Sequence, residues 1–537
     1  MENVQTYIRK MISFLSKPGN LPDEAEEVEI RQTHGSVLAL TEDRVYKVKK
    51  PLDFGFMDFT TLEKRHANCQ RELKLNRRLC QDTYLDVITI TEEKDGTWRF
   101  GNGKGKVIDY AIRMKRLEDG YFLRDLLGKG ERSQDLVHVI AGKLTSFYNE
   151  QQTSEEITKY GHVSHIRDNC EGNFHVMEDF PEDLVGPMAL KTIKVFTYSF
   201  LKKNEALFEE RVRKKKILEC HGDLHMDHIH YKDGRLCIYD CIEFNKAFRC
   251  IDIANDLAFL AMDFEHNGYI REAAQFTELM LEGLDDPDLR PLMHFYKVYR
   301  ACVRGKVHGM TAMDGSLSQD DRQKDLKAAT SYFKLALQYA CCGPDPTALI
   351  MFGPAGSGKS ALAEATASLF GCPHLNSDMV RKQMFNLPAD EPSPESIKPE
   401  LYSSETTDQV YNTLIEKGIK YTKEYPNIIL DATYSDPDRR GEARLAFLSA
   451  AVKPVFIFVT AEDDIIRRRL AQRDKNGKSA SDAREKDFDK LVAGFPKPNL
   501  DNYQGNLIEI DNSGNLEDVK EELQRLLSER VVGQLAL

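Results

Sequence analysis

The 537-residue sequence predicts two domains of different fold class. Residues 1–342 read as an α+β domain, a small antiparallel sheet lobe plus a helical lobe, and residues 343–537 as an α/β domain with a parallel sheet. Three observations carry this reading. Residues 28–50 form three alternating apolar/polar runs, VEIRQ, SVLAL and RVYKVKK, divided by the turn segments THG and TED. The segment GPAGSGKS, residues 353–360, follows the apolar run TALIMF. Between them CCGPDPT, residues 341–347, ends a long helical pattern with two prolines that restart the chain extended.

The remaining elements follow in order. Helical sequence runs from about 58 to 80, and DVITI and VIDYAIRMKRL read as two further strands. From about 120 to 215 the pattern is mainly helical. The short strands ILEC and RLCIYD then flank HGDLHMDHIH, residues 221–230, and helices fill 251–340. An antiparallel sheet with one helix, followed by a large helical lobe, is the architecture of a protein-kinase-like fold. The second part opens strand–loop–helix at 347–370 and continues with the strands NIILDA, PVFIFVTA and NLIEID, helices lying between and after them. Such alternation argues for a parallel sheet covered on both faces. EPSPESIKPE, residues 391–400, reads as a mobile surface loop.

Composition narrows the function classes. Hydrophobic residues make up 41% and charged residues 30%, the balance of a globular protein. The formal charge of −12 argues against duplex nucleic acid and against anionic membrane as partners. The N-terminal segment lacks an apolar h-region, and no run approaches the length of a membrane span. Eleven cysteines without metal-ligand spacing predict free thiols in a reducing, cytoplasmic setting.

GPAGSGKS satisfies the phosphate-loop pattern, with a strand before it and a helix after it. The backbone of Gly353, Pro354, Ala355, Gly356, Ser357 and Gly358 would wrap the phosphates of ATP or GTP. Lys359 would reach the β/γ-phosphates, and the Ser360 hydroxyl would ligate Mg2+. Asp378 and Arg381, three apart in SDMVRKQM, share one helix face. Asp431 ends an apolar strand with Thr433 just beyond it, where α/β sheets bind ligands, and is a candidate metal carboxylate. Arg467, Arg468, Arg469 and Arg473 precede a polar, glycine-containing segment and suit a lid closing on transferring phosphates. This set resembles the small P-loop kinases grouped with gluconate kinase, zeta toxins and the kinase domain of polynucleotide kinase. The resemblance covers about 346–525 and implies Asp378 as general base, Arg381 as a substrate-anion contact, and Arg469 or Arg473 as the lid arginine.

The first part carries a second set. RVYKVKKP offers Lys47 for the α/β-phosphates, with Lys49 on the same strand face as a competitor. Glu72 lies mid-helix in CQRELKLNRRL, HGDLH supplies Asp223, and IYD supplies Asp240 at a strand end. These residues, in this order, resemble the aminoglycoside phosphotransferase-like kinases, a family that includes choline, homoserine and fructosamine kinases. The resemblance implies a Lys47–Glu72 pair, Asp223 as catalytic base, Asp240 as metal ligand, and Asp252 or Asp256 as a buttress of the catalytic loop. The whole chain resembles two-domain bacterial proteins in which such a domain is fused to a P-loop domain.

One position departs from the pattern. His228 stands where the family places a metal-binding asparagine, and imidazole suits softer ions than Mg2+. The metal position is thereby weakened or retuned, with Mn2+ as an alternative. Glu243 and Asn245 are placed to supply a missing oxygen. The near-alternate spacing of His225, His228 and His230 points first to solvent-facing or hydrogen-bonding residues, with a transition-metal site as the alternative and His228 as the candidate ligand at the metal position.

The sequence therefore predicts an ATP-dependent phosphotransferase, bifunctional, acting on a hydroxyl of a small molecule or nucleotide. The alternative is an N-terminal pseudokinase regulating an active C-terminal kinase, whose acceptor could be a polynucleotide 5′-hydroxyl. Neither acceptor nor oligomeric state is readable from the residues.

Overall fold

The structure is a computed structural model describing residues 4–55, 57–101, 105–130, 133–315, 317–389, 391–476, 481–493 and 495–535. It divides into two compact units. The first comprises residues 1–165, 208–263 and 274–289, and the second 166–207, 264–273 and 290–537. Residues 166–207 and 290–342 thus group with the P-loop part, across the boundary that the sequence suggests at 343.

In the first unit six antiparallel strands, β1 (Glu29–Gln32), β2 (Ser36–Leu40), β3 (Arg44–Lys49), β4 (Tyr84–Glu92), β5 (Trp98–Phe100) and β6 (Lys106–Lys115), pair in the order β1-β2-β3-β6-β4-β5. The alternation of β3 sends Tyr46 and Val48 to one face, against Met11, Phe14 and Leu15 of helix α1 (Val4–Leu15). Val45 faces the opposite way, toward Cys69 of helix α2 (Leu62–Asn76). Lys47 and Lys49 share the parity of Val45, so both lysines are carried to the face that bears Glu72. Four elements in this unit escape the sequence reading: α1, β5 and the two short strands Ile229–Lys232 and Cys250–Asp252 that follow the HGD loop.

That loop sits between small sheets. β7 (Ile217–Glu219) pairs with β10 (Cys250–Asp252), and β8 (Ile229–Lys232) forms a hairpin with β9 (Arg235–Ile238). Helix α3 (Ile253–His266) follows β10. Cysteine usage needs a correction. Free thiols are expected, but Cys80 and Cys237 form a disulfide. Folding brings the segment after α2 beside β9, where the Ile238 N–H donates to the Leu79 carbonyl at 3.4 Å. Nine other cysteines are free, eight of them buried.

In the second unit five parallel strands, β11 (Thr347–Phe352), β12 (His374–Asn376), β13 (Asn427–Asp431), β14 (Lys453–Thr460) and β15 (Leu507–Asp511), run in the order β12-β13-β11-β14-β15. β11 is buried along its whole length, which explains its uninterrupted apolar sequence. Helix α4 (Lys359–Phe370) leaves the phosphate loop directly. Helices α5 (Ser377–Met384), α6 (Ser404–Tyr421) and α7 (Asp463–Asn476) also belong to the site's surroundings. Gln338, on the helix Gln319–Cys342, donates to Phe370 O at 2.5 Å and accepts from Asn427 Nδ2 at 2.8 Å, tying this helix to the sheet. The expected mobile loop 391–400 is packed in part: Ser393 is buried with its N–H on Asp482 (2.9 Å), and Lys398–Leu401 is a short helix. No helix among the described residues is long and apolar enough to cross a membrane.

Candidate functional site

The first unit brings together the residues singled out in the N-terminal sequence. Lys47 Nζ lies 2.8 Å from Glu72 Oε1 and 2.7 Å from Asp240 Oδ1. Lys49 bonds the other Glu72 oxygen and reaches Glu243 Oε1 at 2.7 Å. The competition between the two lysines thus resolves into a shared network. Lys47 alone joins the helix glutamate to Asp240, and Lys49 is held deeper, on Glu243. Glu72 is fully buried; burial pushes its carboxyl upward, and the two ammonium groups more than offset that, leaving it below its ordinary value. Burial would likewise raise Asp240, but Lys47 and His228 drive it well down, so it stays ionised. Glu243 moves the other way, because its burial outweighs Lys49.

Asp223 is placed by its loop. Asp256 on α3 accepts the backbone N–H groups of His221 (2.9 Å) and Gly222 (2.8 Å), and also the Tyr148 hydroxyl (2.8 Å). Asp256 is therefore the buttress. Asp252 turns instead to the buried Arg211, at 2.7 Å. Gly222 has φ +84°, and a Cβ there would stand 2.7 Å from Phe248 O, so the sequence needs glycine. Asp240 adopts φ 61°, uncommon for a non-glycine residue and frequent at functional positions.

His228 Nδ1 lies 2.9 Å from the Asp223 carbonyl and 3.5 Å from Asp223 Oδ2; Nε2 lies 3.7 Å from Asp240 Oδ2. Burial and the neighbouring His225 lower its pKa to about 4, so the ring is neutral and able to ligate. His225 and His230 are buried, not solvent-facing; His230 bonds Glu118 O at 3.1 Å, away from Asp223. Glu243 is engaged by Lys49, and Asn245 accepts from Ala247 N (2.9 Å) as a helix cap, so both are occupied elsewhere.

In the second unit the loop 353–358 joins β11 to α4, with Lys359 opening the helix and Ser360 exposed beside it. Gly353 N–H donates to Thr433 O (3.3 Å), and Ser357 N–H to Pro354 O (3.3 Å). Ala355 is buried, and Gly356 and Gly358 both adopt φ +84°. Burial raises the Asp431 carboxyl, yet His374, Lys359 and the Ser360 hydroxyl pull it below its ordinary value. Asp431 is thus a charged carboxylate beside the phosphate-loop serine, the donor pairing that suits Mg2+. Asp378 behaves oppositely: burial and the Asp431 charge raise it, with Lys359 and Arg381 opposing. A carboxylate raised next to an ionised one is the pattern of a base separated from a metal ligand.

The arginines divide. Arg469 donates to Ser357 O (3.0 Å) and Asn512 O (2.8 Å), clasping the phosphate loop. Arg473 is depressed by burial and held up by the Asp378 charge, so it lies within electrostatic reach of that carboxylate. Arg467 packs over the Phe488 ring at 3.6 Å, and Arg468 bonds Asp464 O (3.3 Å), so neither joins the site. Arg381 is buried; it donates to Leu401 O at 2.7 Å and Thr407 Oγ1 at 3.3 Å and packs over Tyr402. Gly477, counted with the lid segment, lies outside the described residues.

Two residues escaped sequence reasoning. Asn376 caps α5 by accepting from Asp378 N (2.9 Å) and Met379 N (3.0 Å), while its amide donates to Asp431 Oδ2 (2.5 Å). It fixes Asp378 relative to Asp431. Asn512 donates to Ser357 O at 2.8 Å. Its signal was its place just past an apolar strand, at the ligand-binding end of a parallel sheet.

Residues 349–498 match the family model of an AAA domain. The chain is 28% identical over 448 residues to uncharacterized proteins of Mycobacterium tuberculosis and Mycobacterium bovis, covering 83% of this chain and 86% of each relative. It is 23% identical over 184 residues to the adenylate kinase of Nocardia farcinica, 33% of this chain and 98% of that enzyme. A gluconokinase structure from Sinorhizobium meliloti 1021 aligns with a TM-score of 0.26 and 15% identity, over 36% of this chain and 94% of that one.

Proposed function

We propose that the chain is an ATP-dependent phosphotransferase whose C-terminal part, 343–537, transfers the γ-phosphate to a hydroxyl of a small molecule or nucleotide. The observation that carries this reading is the phosphate loop 353–358 between β11 and α4, with Asn376 holding Asp378 and Asp431 together. Asp378 accepts the acceptor's proton as its oxygen attacks the phosphorus. Lys359 stabilises the charge that grows on the transferring group as the bond to ADP breaks, Asp431 and Ser360 would hold Mg2+ to neutralise the phosphate charge, and Arg473 is the lid arginine for the phosphates. The likeness to an adenylate kinase supports a nucleotide among the acceptors. Arg381, engaged by Leu401 and Thr407, positions α5 against α6 rather than meeting substrate in this arrangement. The cytoplasm is the matching location.

The N-terminal part, 1–342, is proposed as a second phosphotransferase with Asp223 as base. The Lys47 bridge between Glu72 and Asp240 supports it. The competing reading, a pseudokinase that binds nucleotide or a metabolite and regulates the other part, is favoured by His228 at the metal position. Purified protein with ATP, Mg2+ or Mn2+ and a broad acceptor set, including a cell metabolite extract and oligonucleotides, tests both. Asp378→Asn is expected to lower one transfer activity by about 10²–10⁴-fold, the usual contribution of a general base. Asp223→Ala is expected to abolish a second activity on a different acceptor. Absence of any Asp223-dependent activity overturns the bifunctional reading and leaves the pseudokinase; absence of all transfer overturns both.

A further inference from the structure

The histidines of the HGD loop are spaced for an ion. One ligand atom each from Asp223, His225 and His228 falls within 4.8 Å of the other two. Asp223 Oδ2 lies 3.6 Å from His225 Nε2 and 3.5 Å from His228 Nδ1. These separations stand at or beyond the outer limit of a hydrogen bond. They fit a shared cation well: a tetrahedral ion with bonds of ~2.0–2.1 Å holds its ligand atoms about 3.3 Å apart. His228 Nδ1 donates to the Asp223 carbonyl at 2.9 Å, so Nε2 is the ring nitrogen left to ligate, and it faces Asp240 Oδ2 at 3.7 Å across an ion-sized gap.

The surroundings support the donors. His225 Nδ1 is buried, has no hydrogen-bond partner among the described residues and faces Asp227 Oδ2 at 3.6 Å, the place from which a carboxylate orients a ligating imidazole. The loop is pinned at both ends to α3, by Asp256 on Gly222 N and by Asp263 on Met226 N (2.9 Å). The His225 and His228 rings lie side by side, tilted by 39° with centroids 3.9 Å apart. His230 lies apart on Glu118, which separates ligand geometry from mere histidine richness.

We propose that the Asp223 carboxylate, His225 Nε2 and a ring nitrogen of His228 bind a divalent transition-metal ion, in preference to Mg2+ and without need of nucleotide. Two imidazoles and one carboxylate suit Zn2+, Co2+ or Mn2+, whereas Mg2+ takes oxygen. Three protein ligands leave a position open for water or a substrate oxygen. The site goes beyond the phosphotransfer reading and does not depend on it. It also makes Asp223 a shared residue, because a carboxylate held on the ion cannot also take a proton.

The test uses the full-length chain stripped with chelator and free of nucleotide. Zn2+ is titrated by calorimetry and Co2+ by visible absorption. Expected are one tight site per chain, Mg2+ binding at least about tenfold weaker, and a cobalt spectrum without thiolate charge transfer. His225→Ala and His228→Asn are each expected to weaken Zn2+ at least about tenfold, while Cys372→Ser leaves it unchanged. Circular dichroism checks the fold of each variant; if one histidine variant unfolds, the other and the wild-type cobalt spectrum decide. Equal affinity for Zn2+ and Mg2+, a thiolate band, or unaltered binding in a folded histidine variant overturns the proposal. Because no step uses ATP, a negative phosphotransfer screen and a negative metal titration are separate results.

Discussion

Glu72 is the residue on which the first site's electrostatics converge. Its two oxygens are divided between Lys47 and Lys49, and its own side chain is wholly buried. Removing the charge leaves two ammonium groups facing each other in a desolvated pocket, with Asp240 and Glu243 as their remaining partners. Breaking a buried pair by deleting one member costs about 3–5 kcal/mol, far more than the pair itself contributes. Glu72→Gln, which preserves shape, is therefore expected to lower unfolding free energy by about that amount, read by urea denaturation. Lys49→Met tests the same network from the other side. Added to the Glu72→Gln variant, it is expected to restore part of the loss, because it deletes one of the uncompensated charges; simple additivity of the two changes would refute the shared-network account.

At the scale of elements, legibility followed locality. The β1–β2–β3 meander and the β11–loop–α4 unit were readable because alternation and glycine spacing act within about ten residues. The Asp223 loop was readable as a motif, but the roles of its three histidines depend on α3 and on Asp240, elements outside the motif. The disulfide was hidden for the same reason: its cysteines are 157 positions apart and meet only once α2 lies beside β9. Asn376 carries no local signal of its role, because its amide meets Asp431 only once β12 lies beside β13.

The helix Leu289–Ala312 offers a further test at this scale. His294 lies on it at 1% exposure; Nε2 donates to Tyr339 O (2.9 Å), and Nδ1 has no hydrogen-bond partner. Burial, then the nearby Lys297, depresses its pKa to about 3. The unfolded chain thus binds a proton near the ordinary value of ~6.5 that the folded chain refuses, so stability is full above that pH and falls below it. Between about pH 6 and 4 this group adds a slope of about 1.4 kcal/mol per pH unit. His294→Gln keeps a donor for Tyr339 and removes the titration. Its stability is expected to fall less steeply with acid than the wild type's, and parallel pH profiles would refute the assignment.

For the whole molecule, the decisive question is how many nucleotides one chain holds. The two candidate sites rest on unrelated devices: an ammonium bridged between a helix and a strand carboxylate, and backbone N–H groups around a glycine loop. The bifunctional reading requires two bound nucleotides, whereas a pseudokinase holds a nucleotide or a metabolite at the first site, so stoichiometry tests that site apart from which part transfers phosphate. Equilibrium binding of a non-hydrolysable ATP analogue with Mg2+ is expected to give two sites per chain. Lys359→Ala removes the charge on the β/γ-phosphates and should leave one site, weakened by Lys47→Ala but not by Asp378→Asn. Asp378 faces the acceptor, so its loss leaves nucleotide binding intact while transfer falls. A single site that vanishes with Lys359→Ala would mean that the Lys47–Glu72–Asp240 network is a structural ion cluster. The first unit would then have kept the kinase arrangement without its ligand, and the metal proposed at Asp223 would be the chemistry left to that loop.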